Sequence, residues 1–149
     1  MTAELQSLAR ARARQRLGDV DYKRALVTAA NAGTTQKQLA RIVQVTQSSI
    51  SQTLRSAAAV AFPAPGFSGA SAFEICERFA SGEISRDELK RQLVAWDFVP
   101  FPELSDMFDD GPPLPPGTWA EVEDALECGY LTPELYDEIL DEREALGRD

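Results

Sequence analysis

The sequence predicts an all-α protein in two parts: four short helices, then two helical hairpins joined by a Pro-rich loop. Apolar residues recur at spacings of three and four throughout, interrupted by Gly and Pro. Residues 71–95 and 118–144 repeat one pattern at an offset of 47 positions. The charge is divided as well: residues 1–61 carry nine Lys/Arg and three Asp/Glu, residues 62–149 six and twenty-one. These observations set a first domain at 1–61, a linker over 62–70 and an acidic helical domain over 71–149. The net charge of −9 describes neither part. A basic head can approach phosphates while an acidic body is repelled by them.

Residues 3–17 (AELQSLARARARQRL) are rich in Ala, Leu, Gln and Arg and read as a helix ending before Gly18. Asp19 or Asp21 can cap a second helix through Val20, Leu26, Val27 and Ala30, which stops at Asn31-Ala32-Gly33. Thr34 and Thr35 offer an N-cap to a third helix, Gln36–Val43, and Thr46 to a fourth from Gln47 to about Ala58. Pro63, Pro65 and Gly66 then break the pattern.

In the repeat, Ser71-x-x-Glu74 and Thr118-x-x-Glu121 are capping boxes, whose hydroxyl and carboxylate satisfy free amides at a helix start. Gly82 and Gly129 suit left-handed turns at the helix ends. Ser85, in a further box with Glu88, and Thr132, followed by Pro133, start the second helix of each pair. Ile75 matches Val122, Phe79 Leu126, Ile84 Leu131, Leu89 Tyr136 and Leu93 Leu140. Between the hairpins, residues 96–117 (WDFVPFPELSDMFDDGPPLPPG) are too rich in proline for a regular element. Their aromatics Trp96, Phe98, Phe101 and Phe108 either fold back to complete one core or order on a partner; both readings stand.

Residues 35–54 (TQKQLARIVQVTQSSISQTL) carry the functional signal. On two short helices joined by a tight turn, Leu39, Ala40, Val43, Val45, Ile50 and Leu54 converge on an inner face, with small Ala40 where the helices cross. Gln47, Ser48, Ser49, Ser51 and Gln52 point outward. Short hydroxyl and amide side chains suit a helix entering the major groove, since Gln bonds adenine N6 and N7 together and Ser reaches bases or phosphates. Lys37, Arg41, Arg55 and the series Arg10, Arg12, Arg14 and Arg16 add phosphate-holding charge. At Gln36, Leu39, Ala40, Val43, Thr46, Gln47, Ser49, Ile50 and Gln52 the segment resembles the helix-turn-helix of phage-repressor-type (Xre/Cro-like) regulators. That resemblance implies a helix-turn-helix DNA-binding domain on double-stranded DNA, with Gln36 on phosphate and Gln47, Ser48 and Gln52 facing bases. Thr46 joins the phosphate-holding set. So short a module is expected to act as a homodimer on two half-sites. The family usually has Gly in the turn, where this chain has Gln44. Its trailing helices are missing before Pro63, so residues 3–17 are expected to supply packing or a dimer contact.

An enzyme is not expected. The chain has no His, no Gly-rich phosphate loop and no metal-ligand spacing, so no cofactor or metal is expected either. Pairs such as Glu123/Glu127 and Asp137/Asp141 stand among many solvated acids. Cys76 and Cys128 read as buried small hydrophobes in a reducing compartment. With neither a membrane-spanning apolar run nor a leader pattern, the chain is expected in the cytoplasm. The segment FEICERFASGEISRDELKRQL resembles the C-terminal hairpin of small antitoxins that accompany Fic-type toxins, which implies a compact helical hairpin. Their inhibitory Ser/Thr-x-x-x-Glu-Gly/Asn motif is absent, so that mechanism is not implied. An acidic region over 71–149 behind a repressor-like head suggests a basic toxin as partner, and so an antitoxin that represses its own operon. The alternative is a stand-alone phage or mobile-element repressor whose second half oligomerises.

Overall fold

The computed structural model describes residues 1–103 and 113–148. Among the described residues the chain is all-α, with seven helices: α1 Ala3–Asn31, α2 Gln36–Val43, α3 Gln47–Ser56, α4 Ala72–Ala80, α5 Arg86–Ala95, α6 Ala120–Glu127 and α7 Pro133–Ala145. Contacts group it into two compact units, Arg14–Phe62 on one side and Met1–Ala13 with Pro63–Asp149 on the other.

α1 differs from the sequence reading. One helix of 29 residues runs through Gly18, where a break was expected. An interior Gly costs a helix only about 1 kcal/mol, and the Ala-, Leu- and Arg-rich flanks offset that. Asp19 and Asp21 therefore cap nothing. Asp19 instead pairs with Lys23 one turn on, at 3.1 Å. The helix does end at the expected place. Gly33 takes φ +99°, and the Gly33 and Thr34 amides donate to the Ala30 and Ala29 carbonyls at 3.1 and 3.2 Å. Residues 3–13, read as part of the first domain, group with the second unit, because Ala9 and Ala13 join its core. Small residues four apart give one helix face a close approach.

In the unit Arg14–Phe62, Leu26, Leu39, Ala40 and Ile50 form the core, with Ala29, Ala30, Val43 and Leu54 packed around it. Val45, expected inside, is 40 % exposed. The turn explains why. Gln44 adopts the left-handed conformation (φ +60°, ψ +46°), and the Val45 amide closes back on the Ala40 carbonyl at 3.0 Å, which swings the Val45 side chain outward. The turn thus keeps the backbone that glycine favours without having glycine. A side chain pays roughly 1–2 kcal/mol of strain in that region, partly recovered in lower unfolded-state entropy. Gln44→Gly is expected to raise stability by about 0.5–1 kcal/mol, read as a higher midpoint in urea; an unchanged or lower midpoint would contradict the strain assignment.

In the second unit the repeat governs the end geometry. The Gly82 and Glu83 amides bond the Phe79 and Arg78 carbonyls (3.0 and 2.9 Å), and Gly129 and Tyr130 bond Leu126 and Ala125 (both 3.0 Å). Both glycines have positive φ, +88° and +78°. Ser71, Ser85 and Thr132 each accept the amide three residues on. Thr118 does not cap. Trp119 occupies the cap position without a side-chain bond, and Thr118 is buried while its carbonyl accepts from the Glu121 amide at 3.2 Å. Glu121 still reaches back as its counterpart does: Gly117 N donates to Glu121 Oε2 (2.6 Å) and Ala70 N to Glu74 Oε1 (3.3 Å).

α4 packs against α5, α6 against α4, and α7 against α5. Equivalent helices therefore lie against each other, the arrangement two copies of one unit adopt about a twofold axis. The core holds Ala72, Ile75, Leu89, Leu93, Val122, Ala125, Leu135 and Ile139. On α7 the wholly buried positions are Leu135 and Ile139, while Tyr136 and Leu140 are half-buried. Their counterparts to Leu135 and Ile139 are Glu88 and Gln92, so α7 has the wider apolar face and is turned relative to α5. Trp96 and Phe98 fold back onto this core, whereas Phe101 remains 50 % exposed; Phe108 lies outside the described residues.

The two thiols differ. Cys76 is buried and Cys128, expected to be buried, is exposed, because it follows the last turn of α6 on the outer side. Burial pushes the Cys76 thiol pKa up, and the charges of Glu121 and Glu77 push it further. Only the thiolate attacks a disulfide reagent. In the native protein a chromogenic disulfide should titrate Cys128 rapidly and Cys76 only after denaturation; rapid titration of both would contradict the burial of Cys76.

Candidate nucleic-acid interface

The candidate site lies in the unit Arg14–Phe62, on α2 and α3. Thr35 starts α2 through a reciprocal box: its Oγ1 accepts the Gln38 amide (3.2 Å) and Gln38 Oε1 accepts the Thr35 amide (3.1 Å). The Thr-x-x-Gln spacing was the sequence signal for that bond, and Gln38 was not singled out. Thr46 starts α3, with Oγ1 accepting the Ser49 amide at 3.0 Å. Its hydroxyl oxygen is thus engaged with the helix start. Ile50, wholly buried, and Leu54 set the inward face of α3. Ser48, Gln52 and Arg55, at spacings of four and three, then share the opposite face.

Each sequence-derived residue has a clear position. Gln47, Ser48, Gln52 and Arg55 on α3 are exposed, and Ser49 and Ser51 are half-buried. On α2, Lys37 and Arg41 are exposed one turn apart, and Gln36, the first residue of the helix, is half-buried. Arg55 Nε reaches the Ser51 carbonyl at 3.5 Å, a long bond that leaves the guanidinium at the surface. Arg14 and Arg16 are exposed on α1 within the same unit, whereas Arg10 and Arg12 fall in the segment grouped with the other unit.

The electrostatics of this unit are one-sided. Residues 14–62 hold seven Lys/Arg and two Asp/Glu. Both acids face bases on α1, Asp19 with Lys23 at 3.1 Å and Asp21 with Arg24 at 4.0 Å. Arg24 is structural. It is buried and donates from Nε to the Ala61 carbonyl at 2.9 Å, tying the chain after α3 back to α1. Nothing local in the sequence marks that role, since the two residues are 37 positions apart.

The acidic unit is organised differently. Each Lys and Arg of residues 62–149 is engaged within the chain. Arg78 bonds Glu74 and Glu83, Arg86 bonds Glu138, and Lys90 bonds Glu142 and Glu138. Arg91 bonds Glu88, Arg148 bonds Asp97, and Arg143 bonds three backbone carbonyls. The remaining acids define the surface. Glu134, Asp137, Asp141 and Glu144 are exposed along one face of α7 at spacings of three and four.

Comparison with protein-family models, curated proteins and solved structures returns no match. Among the described residues, no helix is long and apolar enough to cross a membrane.

Proposed function

We propose that the chain is a sequence-specific DNA-binding regulator of the cytoplasm, without catalytic activity, that acts as a homodimer. In this reading its acidic region binds a basic toxin, making it an antitoxin that represses its own operon. The observation that carries the DNA reading is the outward face of α3. A row of amide, hydroxyl and guanidinium side chains stands opposite a buried Ile50, on a unit with a strong excess of basic residues. Gln47, Ser48 and Gln52 are assigned to bases. Gln36, Lys37, Thr46, Arg41 and Arg55 are assigned to phosphates, with Thr46 contributing only through whatever its capping bond leaves available.

The test is fluorescence anisotropy against the gene's own upstream DNA over a salt series. Wild type is expected to prefer that DNA over random sequence and to weaken steeply with salt. Gln47→Ala or Gln52→Ala should each lose roughly 1–3 kcal/mol, on the order of 5- to 150-fold in affinity, with selectivity relaxed at one position. Lys37→Ala should weaken specific and random DNA alike. Equal affinity of wild type for upstream and random DNA would sink the sequence-specific reading.

A further inference from the structure

We propose that the N-terminal turns of α1 pair with the same turns of a second copy, antiparallel about Leu8; this rests on the homodimer reading above and locates its interface. α1 is built inside out at this end. Its small side chains Ala9 and Ala13 join the core of the acidic unit, while Leu5 and Leu8 stand 52 and 65 % exposed and Met1 63 %. A helix fixed to one core ordinarily turns its leucines inward and leaves its alanines to the solvent. The exposed set is not scattered. At about 100° per residue, Glu4, Leu5, Leu8, Ala11 and Arg12 share one arc of roughly 120°, turned by about the same angle from the Ala9/Ala13 face. The helix is formed from its first turn, since Thr2 Oγ1 accepts the Leu5 amide at 3.3 Å and the Thr2 carbonyl accepts the Gln6 amide at 3.0 Å. Met1 lies against Gly129, past the end of α6, where a Cβ would meet its Sδ and Cε at 2.6 Å. The chain on either side of residues 104–112 lies at the start of that helix, Phe101 sharing a cavity with Trp119 and Leu114 one with Ala120.

The placing of charge selects the occupant. Glu4 and Arg12 stand four positions before and four after Leu8, both exposed on this arc. A twofold axis at Leu8 sets each residue before it against the residue equally far after it in the other copy. Glu4 then meets Arg12 of the second copy, and Arg12 meets its Glu4. Leu5 meets the small Ala11, and Leu8 meets its own counterpart. Two opposite-charge pairs thus flank one apolar contact. A guanidinium carries several N–H donors, so a bond within its own chain leaves Arg12 others for Glu4. A parallel pairing would set Glu4 on Glu4 and Arg12 on Arg12, like charges face to face. With one acid and one base the arc is neutral, so neither a phosphate backbone nor a strongly basic protein gains from it. The patch is small beside the roughly 800 Å² that each partner buries in a standard interface, so the free protein is expected to dimerise only at about 10–100 μM.

Sedimentation equilibrium of the full chain without DNA is followed from well below that range to well above it. Wild type should pass from monomer to dimer. Leu8→Glu sets two carboxylates together at the axis and should weaken the dimer about tenfold or more. Glu4→Arg sets arginine on arginine and should weaken it about fivefold, most at low salt. Both positions are exposed, so both variants are expected to melt as wild type does where the chain is monomeric. A dimer indifferent to Leu8→Glu would keep the homodimer and overturn this interface. A dimer broken by Leu8→Glu but unchanged or tightened by Glu4→Arg would overturn the antiparallel pairing. A chain that stays monomeric throughout would leave the stripe to a different protein and overturn the proposal; the number of copies bound per upstream DNA, read separately, then decides the homodimer.

Discussion

Arg143→Met is expected to lower the stability of the acidic unit by about 3–4 kcal/mol, since several buried carbonyls lose their donor at once. Arg143 is only 5 % exposed, and a single nitrogen serves the carbonyls of Leu93, Val94 and Trp96. These are among the acceptors that the last turn of α5 leaves without intrahelical partners. No glycine ends α5. The chain leaves through Trp96 in an extended conformation, and the guanidinium of α7 does the capping. The same group lies over the Phe98 ring at 4.7 Å from its centroid and near Trp119 at 5.7 Å, so it also holds these two aromatic side chains against the core. Burial draws its pKa below the usual value, yet a guanidinium stays protonated wherever the protein folds. The melting point should fall by roughly 15–25 °C for a unit of this size. Arg143→Lys, with one compact ammonium, should fall between the two. Arg148→Ala removes a donor from a side chain 38 % exposed and should cost under about 1 kcal/mol. A melting point for Arg143→Met within a couple of degrees of wild type would mean that water replaces the guanidinium without penalty.

Arg143 also marks where sequence reading stops. Its carbonyl partners lie 47 to 50 positions away, and no spacing rule links an arginine in one helix to the end of another. The helix starts at Thr35, Thr46, Ser71, Ser85 and Thr132 were legible because a hydroxyl and the amide three residues on are local partners. The turns at Gly82 and Gly129 were legible for the same reason. Where a local cue competed with something longer in range, the cue lost. Gly18 gave way to a helix favoured on both sides, and Thr118 gave up its cap when its residue was buried. The placing of residues 3–13 with the acidic unit follows from Ala9 and Ala13 meeting a core assembled from residues far along the chain. The composition pointed the other way, because Arg10 and Arg12 shared the sign of the basic head. In the candidate site, Leu39, Ala40 and Ile50 were legible from their spacing, whereas the Val45 side chain depended on the left-handed turn at Gln44.

Ile50→Ala should separate the fold of the basic unit from the residues proposed to read DNA. Ile50 is wholly buried and meets Leu26, Leu39 and Ala40, so truncating it removes apolar contact and leaves a cavity worth about 3 kcal/mol. A unit of this length commands only roughly 2–7 kcal/mol in all, so the loss takes most of its margin. Hydrogen-exchange protection of the α2 and α3 amides should collapse, and affinity for the upstream DNA should fall with it. Ile50→Val, which removes a single methylene, should cost about 0.5–1.5 kcal/mol and leave affinity within a few-fold. Gln52→Ala should do the reverse: exchange protection unchanged, because the side chain is exposed, and DNA affinity reduced. The two variants thus reach weak binding by different routes, one by losing the scaffold and the other by losing a contact. If Ile50→Ala loses its amide protection and still binds the upstream DNA as wild type does, α3 is not the reading element. The basic surface would then have to lie along the exposed arginines of α1 instead.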